Sequence, residues 1–319
     1  MDYLQLILNQ MGLRLDAKYT AALDLQLEHV RSRTYDIQYP ELKARRLIPV
    51  DTSVDPGAET VAYYQWDSYG IAEIVTNFAG DLSLVDAKAE KFTSPVHSIG
   101  KAYQYSVQDL RRAAMAGNEL DQRRARAARR AIELEIDEIA SVGDAKAKLS
   151  GLFNHLNIPV SAATSDGTST RWVGGRTTPK APELVKKDMN DAVTAIRVAT
   201  LETQSPDTII LPTTEFSYIN DTSINNVLDN TILQSFLKNS SWVKNVESWH
   251  KLNTADATGT GPRMLVYKRD PEVLELVIPQ DFEQFPPQAR NLSFVVPCHA
   301  RIGGVVVYYP LALRYMDGI

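Results

Sequence analysis

Cysteine, long apolar runs and metal-binding motifs are what this sequence lacks. Its 319 residues include a single cysteine, Cys298, and one cysteine excludes both an intrachain disulfide and a multi-cysteine metal site. Five histidines are present, but they are scattered along the chain without the spacing of metal ligands. No stretch approaches the roughly 18 consecutive apolar residues that a membrane-spanning helix needs. We therefore predict no metal, no cofactor and no membrane partner.

Catalytic motifs are also missing. The sequence has no Walker loop, no Gly-x-Gly-x-x-Gly after a strand, no His-Glu-x-x-His and no Gly-x-Ser-x-Gly. Ser98 and Lys101 match the Ser-x-x-Lys spacing of penicillin-binding enzymes. They lie in a predicted strand instead of a helix, however, and have no Lys-Thr-Gly partner. We predict that the protein has no catalytic residues and is not an enzyme.

The overall composition is that of an ordinary soluble protein. The apolar fraction is 44% and the charged fraction 23%, both close to the average for globular domains. The net charge of −5 gives no sign of strong binding to a polyanion. The length allows one elaborate domain or two. Cys298 lies in an apolar run, so we predict a buried, small hydrophobic side chain.

The longest regular pattern covers residues 106–142 and predicts two successive helices. It restarts at Gly117 and Asn118, and Asn118 is a good N-cap for a second helix over 119–142. That helix would be about 36 Å long, which suits a strut along the molecule. One apolar stripe follows its helical period, formed by Ala125, Ala128, Ile132, Ile136 and Ile139.

The charges of this long helix are divided between its two halves. Five arginines crowd the first half and four acids the second, an arrangement that opposes the helix dipole. One interpretation is a solvated charged face. A sharper one is that the two halves meet neighbouring copies of the same protein. An arginine patch for nucleic acid is disfavoured, because the acids that follow would cancel its field.

The segments before these helices are predicted to be extended. Residues 1–55 form an arm with one helix at 19–33, and Pro40 and Pro49 interrupt regular structure. Two strand-like runs follow at 59–66 and 99–105, with an irregular middle between them. If they pair, they form a long hairpin with a large tip. Because an isolated two-stranded ribbon is marginal in water, it would need a neighbouring subunit to lie against.

The remaining chain is predicted to be α/β. A polar loop at 161–178 precedes helices at 182–202, 213–220 and 232–239. Strands are predicted at 207–211, 243–251, 263–268, 273–278, 291–297 and 303–309.

This order of features resembles the major capsid proteins of tailed bacteriophages, which have the Hong Kong 97-type fold. Three segments also resemble an encapsulin-related capsid subfamily that was formerly a domain of unknown function. They are TYDIQYPELKARRLIPVDTSVDPGAETVAY (34–63), KFTSPVHSIGKAYQYSVQDLRRAAMAG (91–117) and LDQRRARAARRAIELEID (120–137). The resemblance covers nearly the whole chain and is weaker in the α/β part.

The resemblance implies an α+β fold with four parts. Residues 1–55 would be the N-terminal arm and 56–105 the extended β-hairpin loop, which lies over an adjacent subunit. Residues 106–181 and 297–319 would form the peripheral domain, with 119–142 as its spine helix. Residues 182–296 would form the α/β axial domain.

The implied function is self-assembly into pentamers and hexamers of an icosahedral shell around double-stranded DNA, bound without sequence specificity. The implied location is the virion, assembled in the bacterial host cytoplasm. The implied partners are a separate scaffolding protein and a portal, with a decoration protein left open, and we predict no covalent crosslink. The alternative is an encapsulin-like nanocompartment that holds cargo enzymes. From the residues and the resemblance together, the predicted contacts between subunits are Arg123, Arg126, Arg129, Arg130, Glu133, Asp137, Lys88, Lys91, Tyr63, Trp66 and Tyr103.

Overall fold

The computed structural model describes residues 40–69, 86–116, 120–225 and 228–319. It divides the chain into two units, 1–41 and 42–319, and every element described below belongs to the second. The predicted helix at 19–33 and the predicted N-cap Asn118 lie outside the described residues.

Six α-helices lie within the described residues. In chain order they are α1 (Ala44–Leu47), α2 (Val107–Ala116), α3 (Leu120–Ser141), α4 (Pro182–Ala199), α5 (Thr213–Asp221) and α6 (Ile232–Asn239). Short 3₁₀ turns cover His250–Thr254 and Pro310–Ala312. The predicted helices at 182–202, 213–220 and 232–239 are thereby confirmed as α4, α5 and α6. None of the helices in the described ranges is long and apolar enough to cross a membrane.

The strands of the described residues form several small sheets. In chain order they are β1 (Val50–Asp51), β2 (Thr60–Tyr69), β3 (Asp86–Pro95), β4 (His97–Ser106), β5 (Gly143–Asp144), β6 (Leu149–Ser150), β7 (Val160–Ala162), β8 (Thr208–Leu211), β9 (Ser223–Asn225), β10 (Leu228–Thr231), β11 (Asn245–Ser248), β12 (Arg263–Tyr267), β13 (Leu274–Val277), β14 (Gln280–Gln284), β15 (Gln288–Arg290), β16 (Ser293–Ile302), β17 (Gly304–Val307) and β18 (Leu313–Asp317).

The long helix α3 has 22 residues and is about 33 Å long, as the sequence pattern predicts. Four residues of its predicted apolar stripe, Ala128, Ile132, Ile136 and Ile139, are buried, and the fifth, Ala125, is half-buried. The last turn of α3 has no basic residue of its own. Lys251 supplies the positive charge that this end of the helix dipole favours, since its Nζ lies 2.9 Å from Glu138 and 3.0 Å from the Ser141 hydroxyl.

A tight reversal follows α3 and depends on two glycines. Gly143 has a φ of +81°, and a Cβ there would lie 2.4 Å from the Leu149 carbonyl oxygen. A Cβ on Gly151 would lie 2.4 Å from the Gly143 nitrogen. The backbone N–H groups of Leu152 and Phe153 donate at 2.9 Å to the carbonyls of Ala140 and Ser141. The returning chain therefore caps the helix with its own backbone.

The hairpin differs from the predicted one. Strand β2 pairs with β3 over its full length, from Thr60 opposite Pro95 to Tyr69 opposite Asp86. Strand β4 pairs instead with β16, so the predicted pairing of 59–66 with 99–105 is wrong. The segment predicted to be an irregular middle supplies the second strand. Because four of its residues from Ala87 to Glu90 are all exposed, it lacks the one-sided apolar alternation that identifies a strand.

A five-stranded sheet in the order β11-β8-β12-β18-β7 forms the middle layer of the unit. Strands β8 and β12 are buried along their whole length. Successive side chains point to opposite faces, so Ile210 and Leu265 join one hydrophobic core while Ile209 and Val266 join the other. This explains the continuous apolar runs of these strands.

The two cores lie on opposite faces of this sheet. The first core contains the apolar stripe of α3 together with residues of α1, β13, β16 and β17. The second contains residues of α4, α5 and α6. The sheet combines β7 and β18, from the segments predicted as peripheral, with β8, β11 and β12, from the segment predicted as axial. Cys298 is 2% exposed within the first core, as predicted.

Candidate assembly surface

The hairpin of β2 and β3 is a two-stranded sheet that joins no other strand of the described residues. Its base is connected to the rest of the unit by side-chain hydrogen bonds. Ser94 donates to the Gly303 carbonyl at 3.1 Å, and the Tyr63 hydroxyl donates to the Val307 carbonyl at 3.4 Å. A ribbon of this kind gains little stability from its own two strands.

Aromatic packing anchors one face of the hairpin. The Tyr63 ring stacks on Phe92 with centroids 5.2 Å apart and meets the edge of Tyr308 at 4.8 Å. Tyr63, a predicted contact between subunits, is therefore half-buried by residues of its own chain. Tyr308 is a residue of this anchor that the sequence analysis did not single out. The only feature of the sequence that pointed to Tyr308 was its position in a run of β-branched and aromatic residues.

The opposite face of the hairpin is exposed and amphipathic. Tyr64 is 59% exposed and Trp66 is 70% exposed, and their spacing of two residues puts them on one face. Lys91 lies across from Tyr64 in the register, with its Nζ 6.0 Å from the Tyr64 ring centroid. Lys88, on the same strand as Lys91, is exposed as well. Of the predicted contact residues, Trp66, Lys88 and Lys91 thus lie on the surface of the subunit.

A carboxyl group is half-buried beside the aromatic anchor. The Tyr308 hydroxyl donates to Glu275 at 3.0 Å. Burial raises the pKa of Glu275 above its ordinary 4.5, and the charge of Asp51 adds to the rise, while the hydrogen bond from Tyr308 opposes it. Glu275 therefore holds its proton to higher pH in the folded chain than in the unfolded chain.

We expect this carboxyl group to make the unit less stable as pH rises above 4.5. Below that value Glu275 is protonated in both states, and above it the unfolded chain releases the proton first, which favours unfolding. Glu275→Gln should therefore raise the melting temperature at neutral pH, with the gain disappearing toward pH 4.5. Thermal unfolding across this range measures it, with the exposed neighbour Glu272→Gln as control. An equal pH dependence of Glu275→Gln and wild type would contradict the prediction.

Three of the four acids in the second half of α3 have partners within the chain, and the fourth, Glu135, is exposed. Glu133 accepts from Arg45 at 3.1 Å. Asp137, 2% exposed, accepts from the backbone N–H of Ala44 at 3.0 Å. Lys251 Nζ lies 2.7 Å from the other Asp137 oxygen. The two atoms form an ion pair, but their angles are not those of a hydrogen bond. Glu133 and Asp137 therefore connect α3 to the segment around α1, which the sequence analysis did not foresee.

The arginines of α3 lie mostly in solvent. Arg123, Arg126 and Arg129 are exposed, and Arg130 is half-buried. The Arg129 guanidinium lies 5.9 Å from the Phe282 ring centroid. Tyr103, on β4, accepts a hydrogen bond from Gln284 at 3.0 Å and packs against the first core. The predicted contact residues thus form a hairpin group and a group around α3.

The described residues contain no cluster of three or more histidine, cysteine or acidic side chains that could hold a metal ion. Ser98 and Lys101 both lie on strand β4, as predicted.

Comparison with protein families gives one match that covers most of the chain. The model of the family described as "Major capsid protein" matches residues 70–319. No curated protein sequence matches this chain.

Several solved structures share the fold at low sequence identity. The capsid of Myoviridae phage XM1 aligns over 97% of this chain and 100% of its own, with 18% identity and a TM-score of 0.78. A structure from mycobacterium phage Ogopogo aligns over 93% and 98%, with 13% identity and a TM-score of 0.56. The virus-like particle from Pyrococcus furiosus aligns over 85% and 90%, with 12% identity and a TM-score of 0.50.

Proposed function

This chain belongs to the major capsid protein family, and from that premise we propose that it forms the icosahedral shell of a tailed bacteriophage. Copies of the chain assemble into pentamers and hexamers, and the shell encloses double-stranded DNA without reading its sequence. The protein acts as a structural component and not as an enzyme. Its place is the virion, after assembly in the cytoplasm of the bacterial host.

The observation that carries this proposal is the hairpin of β2 and β3. It has an anchored face, an exposed face with Trp66 and Tyr64, and no third strand among the described residues. Large exposed aromatic side chains on a ribbon that is marginal by itself indicate a surface completed by another molecule. A second copy of the chain is the partner that self-assembly supplies.

We propose the Hong Kong 97-type layout for the whole chain. Residues 1–55 act as the arm, 56–105 as the extended loop, and α3 as the spine of the peripheral domain. The segment 182–296 supplies most of the axial domain. The five-stranded sheet then joins the two domains, since β7 and β18 pair into it. A separate scaffolding protein and a portal complete the assembly in this proposal, a decoration protein remains an open alternative, and no covalent crosslink forms.

We expect Trp66→Ala to impair assembly without weakening the fold. A tryptophan buried at an interface contributes about 2 kcal/mol or more, so the protein concentration needed for assembly should rise at least about tenfold. The free energy of unfolding of the single subunit should not change, because Trp66 is 70% exposed. Sedimentation with negative-stain electron microscopy measures assembly, and urea unfolding measures stability.

The matched control is Leu156→Ala, which truncates an apolar side chain that is 98% exposed outside the hairpin. It should assemble like wild type. If Trp66→Ala assembled as readily as wild type, the exposed face of the hairpin would have no role in assembly. A wild-type chain that stays monomeric at high concentration, with and without a scaffolding protein, would overturn the proposed function.

The contents of the purified shells distinguish a phage capsid from the alternative, a nanocompartment. The fold shared with the virus-like particle is compatible with either kind of shell, whereas the family match favours a phage capsid. Shells that contain DNA would support the capsid. Shells that contain a defined enzyme and no nucleic acid would support the alternative.

A further inference from the structure

Three of the four acids in the second half of α3 are paired within the chain, which bears on the role of the arginines in its first half. Glu133 pairs with Arg45, and Asp137 and Glu138 both pair with Lys251. These three carboxylates share two cations, Arg45 and Lys251, that come from other parts of the chain. Their negative charge is thus partly offset there, which weakens its effect on the arginines that precede them on the helix.

The basic half continues into α2. Residues 106–131 contain seven arginines and three acids, a net charge of +4. The whole chain has a net charge of −5, so the rest of it carries −9, the difference between the two. One of the three acids, Asp109, already interacts with Arg124, whose guanidinium lies 3.4 Å from it. Positive charge is thus concentrated in one short part of an acidic protein.

Five arginines of this part are exposed, and four of them lie near the point where the two helices meet. Arg111 and Arg112 lie on α2, and Arg123 and Arg126 lie on α3. The Asp109–Arg124 ion pair brings the beginning of α2 next to the early turns of α3, and Arg112 follows Asp109 by three residues on the same side of its helix. Arg123 and Arg126 are one turn apart, about 4.5 Å along the axis. We call these four residues the arginine surface.

Arg129 and Arg130 are not part of this surface. Arg129 lies over the Phe282 ring, next in sequence to Asp281, which binds Arg45 at 2.8 Å. Arg130 is half-buried. The arginine surface therefore consists of the exposed arginines of this region other than Arg129, which packs over an aromatic ring.

We propose that the arginine surface binds the phosphate backbone of double-stranded DNA. This inference rests on the proposed function, in which the shell encloses DNA, and it names the part of the chain that contacts it. Guanidinium groups suit phosphate oxygens because they are always charged and donate in a planar fork. Enclosed duplex DNA carries a negative charge about every 1.7 Å of its axis. Contacts to phosphate oxygens carry no sequence information, so binding through the backbone is independent of sequence.

A second copy of the chain is the competing occupant. The complementary surface that the sequence pattern suggests on such a copy is the acidic half of its α3. Glu133, Asp137 and Glu138 are already paired there in each copy, which leaves Glu135 as the remaining acid of that half. The observations therefore favour a phosphate backbone over a neighbouring subunit.

The test compares two variants of the full-length chain in its unassembled fraction. One replaces Arg111, Arg112, Arg123 and Arg126 with glutamine. The control replaces four basic residues of other exposed positions with glutamine, namely Lys187, Lys238, Lys244 and Arg269, and so changes the net charge equally. Fluorescence anisotropy with a short DNA duplex of arbitrary sequence, titrated across KCl concentrations, gives the affinity and its salt slope.

The arginine variant should bind the duplex on the order of tenfold or more weakly at low salt. Its slope of log affinity against log salt should be shallower by about 0.9 for each phosphate that the variant no longer neutralises. The control variant should keep most of the wild-type slope. Circular dichroism and thermal unfolding establish that both variants fold, which we expect because glutamine is a good helix former.

Several results would overturn the inference. One is equal DNA binding by the arginine variant and wild type, and another is absence of DNA binding by wild type at low salt. Equal losses in the arginine and control variants would assign the effect to net charge alone. An arginine variant that binds DNA normally but fails to assemble would assign the surface to a neighbouring copy. Failure of wild type to form shells would instead contradict the proposed function, and the salt slopes would still decide whether the surface binds phosphate.

Discussion

Replacing Asp188 with asparagine should lower the free energy of unfolding by about 3–5 kcal/mol, the cost of breaking a buried ion pair on one side. Asp188 and Lys180 are both fully buried, and the Lys180 Nζ lies 2.5 Å from the carboxylate. The indole N–H of Trp172 donates to the same carboxylate oxygen at 2.8 Å. Asparagine would leave the Lys180 charge without its counter-ion in a site that water does not reach. Urea unfolding of the unassembled protein measures the loss.

This network holds the long polar loop of 163–180 against α4. Lys180 also donates to the Thr164 carbonyl at 2.5 Å, and the Thr164 N–H donates to Asp188 at 2.9 Å. Loss of the carboxylate should therefore loosen the loop together with the buried pair. Faster proteolytic cleavage within 163–180 in Asp188→Asn would be the accompanying sign.

Two control variants distinguish the effect of breaking the buried ion pair from the effect of changing the net charge. Asp191→Asn makes the same change at an exposed position on the same helix and should shift the free energy of unfolding by less than about 0.5 kcal/mol. The double variant Lys180→Met with Asp188→Leu removes both charges and should recover part of the loss. The recovery is incomplete because Trp172 then has no acceptor for its N–H. Equal stabilities of Asp188→Asn and Asp191→Asn would contradict this account.

The second large effect is expected at Asp137, where alanine should cost about 3–5 kcal/mol. The carboxylate is buried, accepts from the Ala44 N–H and lies beside Lys251. Its removal leaves a buried N–H without an acceptor and a cation without its nearest counter-ion. Because Ala44 begins α1, the contact between α1 and α3 should weaken first. Urea unfolding measures the loss.

The adjacent residue Glu138 is a close control for this prediction. It binds the same Lys251 at 2.9 Å, but its side chain is 59% exposed. Exposed ion pairs contribute about 0–1 kcal/mol, so Glu138→Ala should cost less than about 1 kcal/mol. If the two alanine variants lose equal stability, burial is not what makes Asp137 important.

The exposed surface of the β2–β3 hairpin could be predicted from the sequence only in part. The richness of 59–66 in aromatic and β-branched residues indicated a strand, and the structure leaves Trp66 on its exposed face. The partner strand was missed because its exposed, mixed residues carry no alternation. Tyr308 was missed as an anchor because its contact with Tyr63 joins positions that are far apart in the chain. No local pattern records such a pair.

The roles of the charged residues of α3 could also be predicted only in part. The division into a basic and an acidic half is plain in the sequence, and so is the conflict with the helix dipole. The partners Arg45 and Lys251, however, come from segments far from α3 in the chain. Only their positions in the folded chain show that Glu133, Asp137 and Glu138 have partners within it.

The sequence by itself determined the elements whose signal is local. The buried stripe of α3, the helices α4, α5 and α6, the buried strands β8 and β12, and the burial of Cys298 follow from period, caps and apolar runs, which act between near neighbours. Tertiary structure alone decided the pairing of β2 with β3 and of β4 with β16, the shared sheet between the two cores, and the counter-ions of Asp137 and Asp188. Most of these contacts join segments that are far apart in the chain, and the Lys180–Asp188 pair, though only eight residues apart, forms only where both side chains are buried.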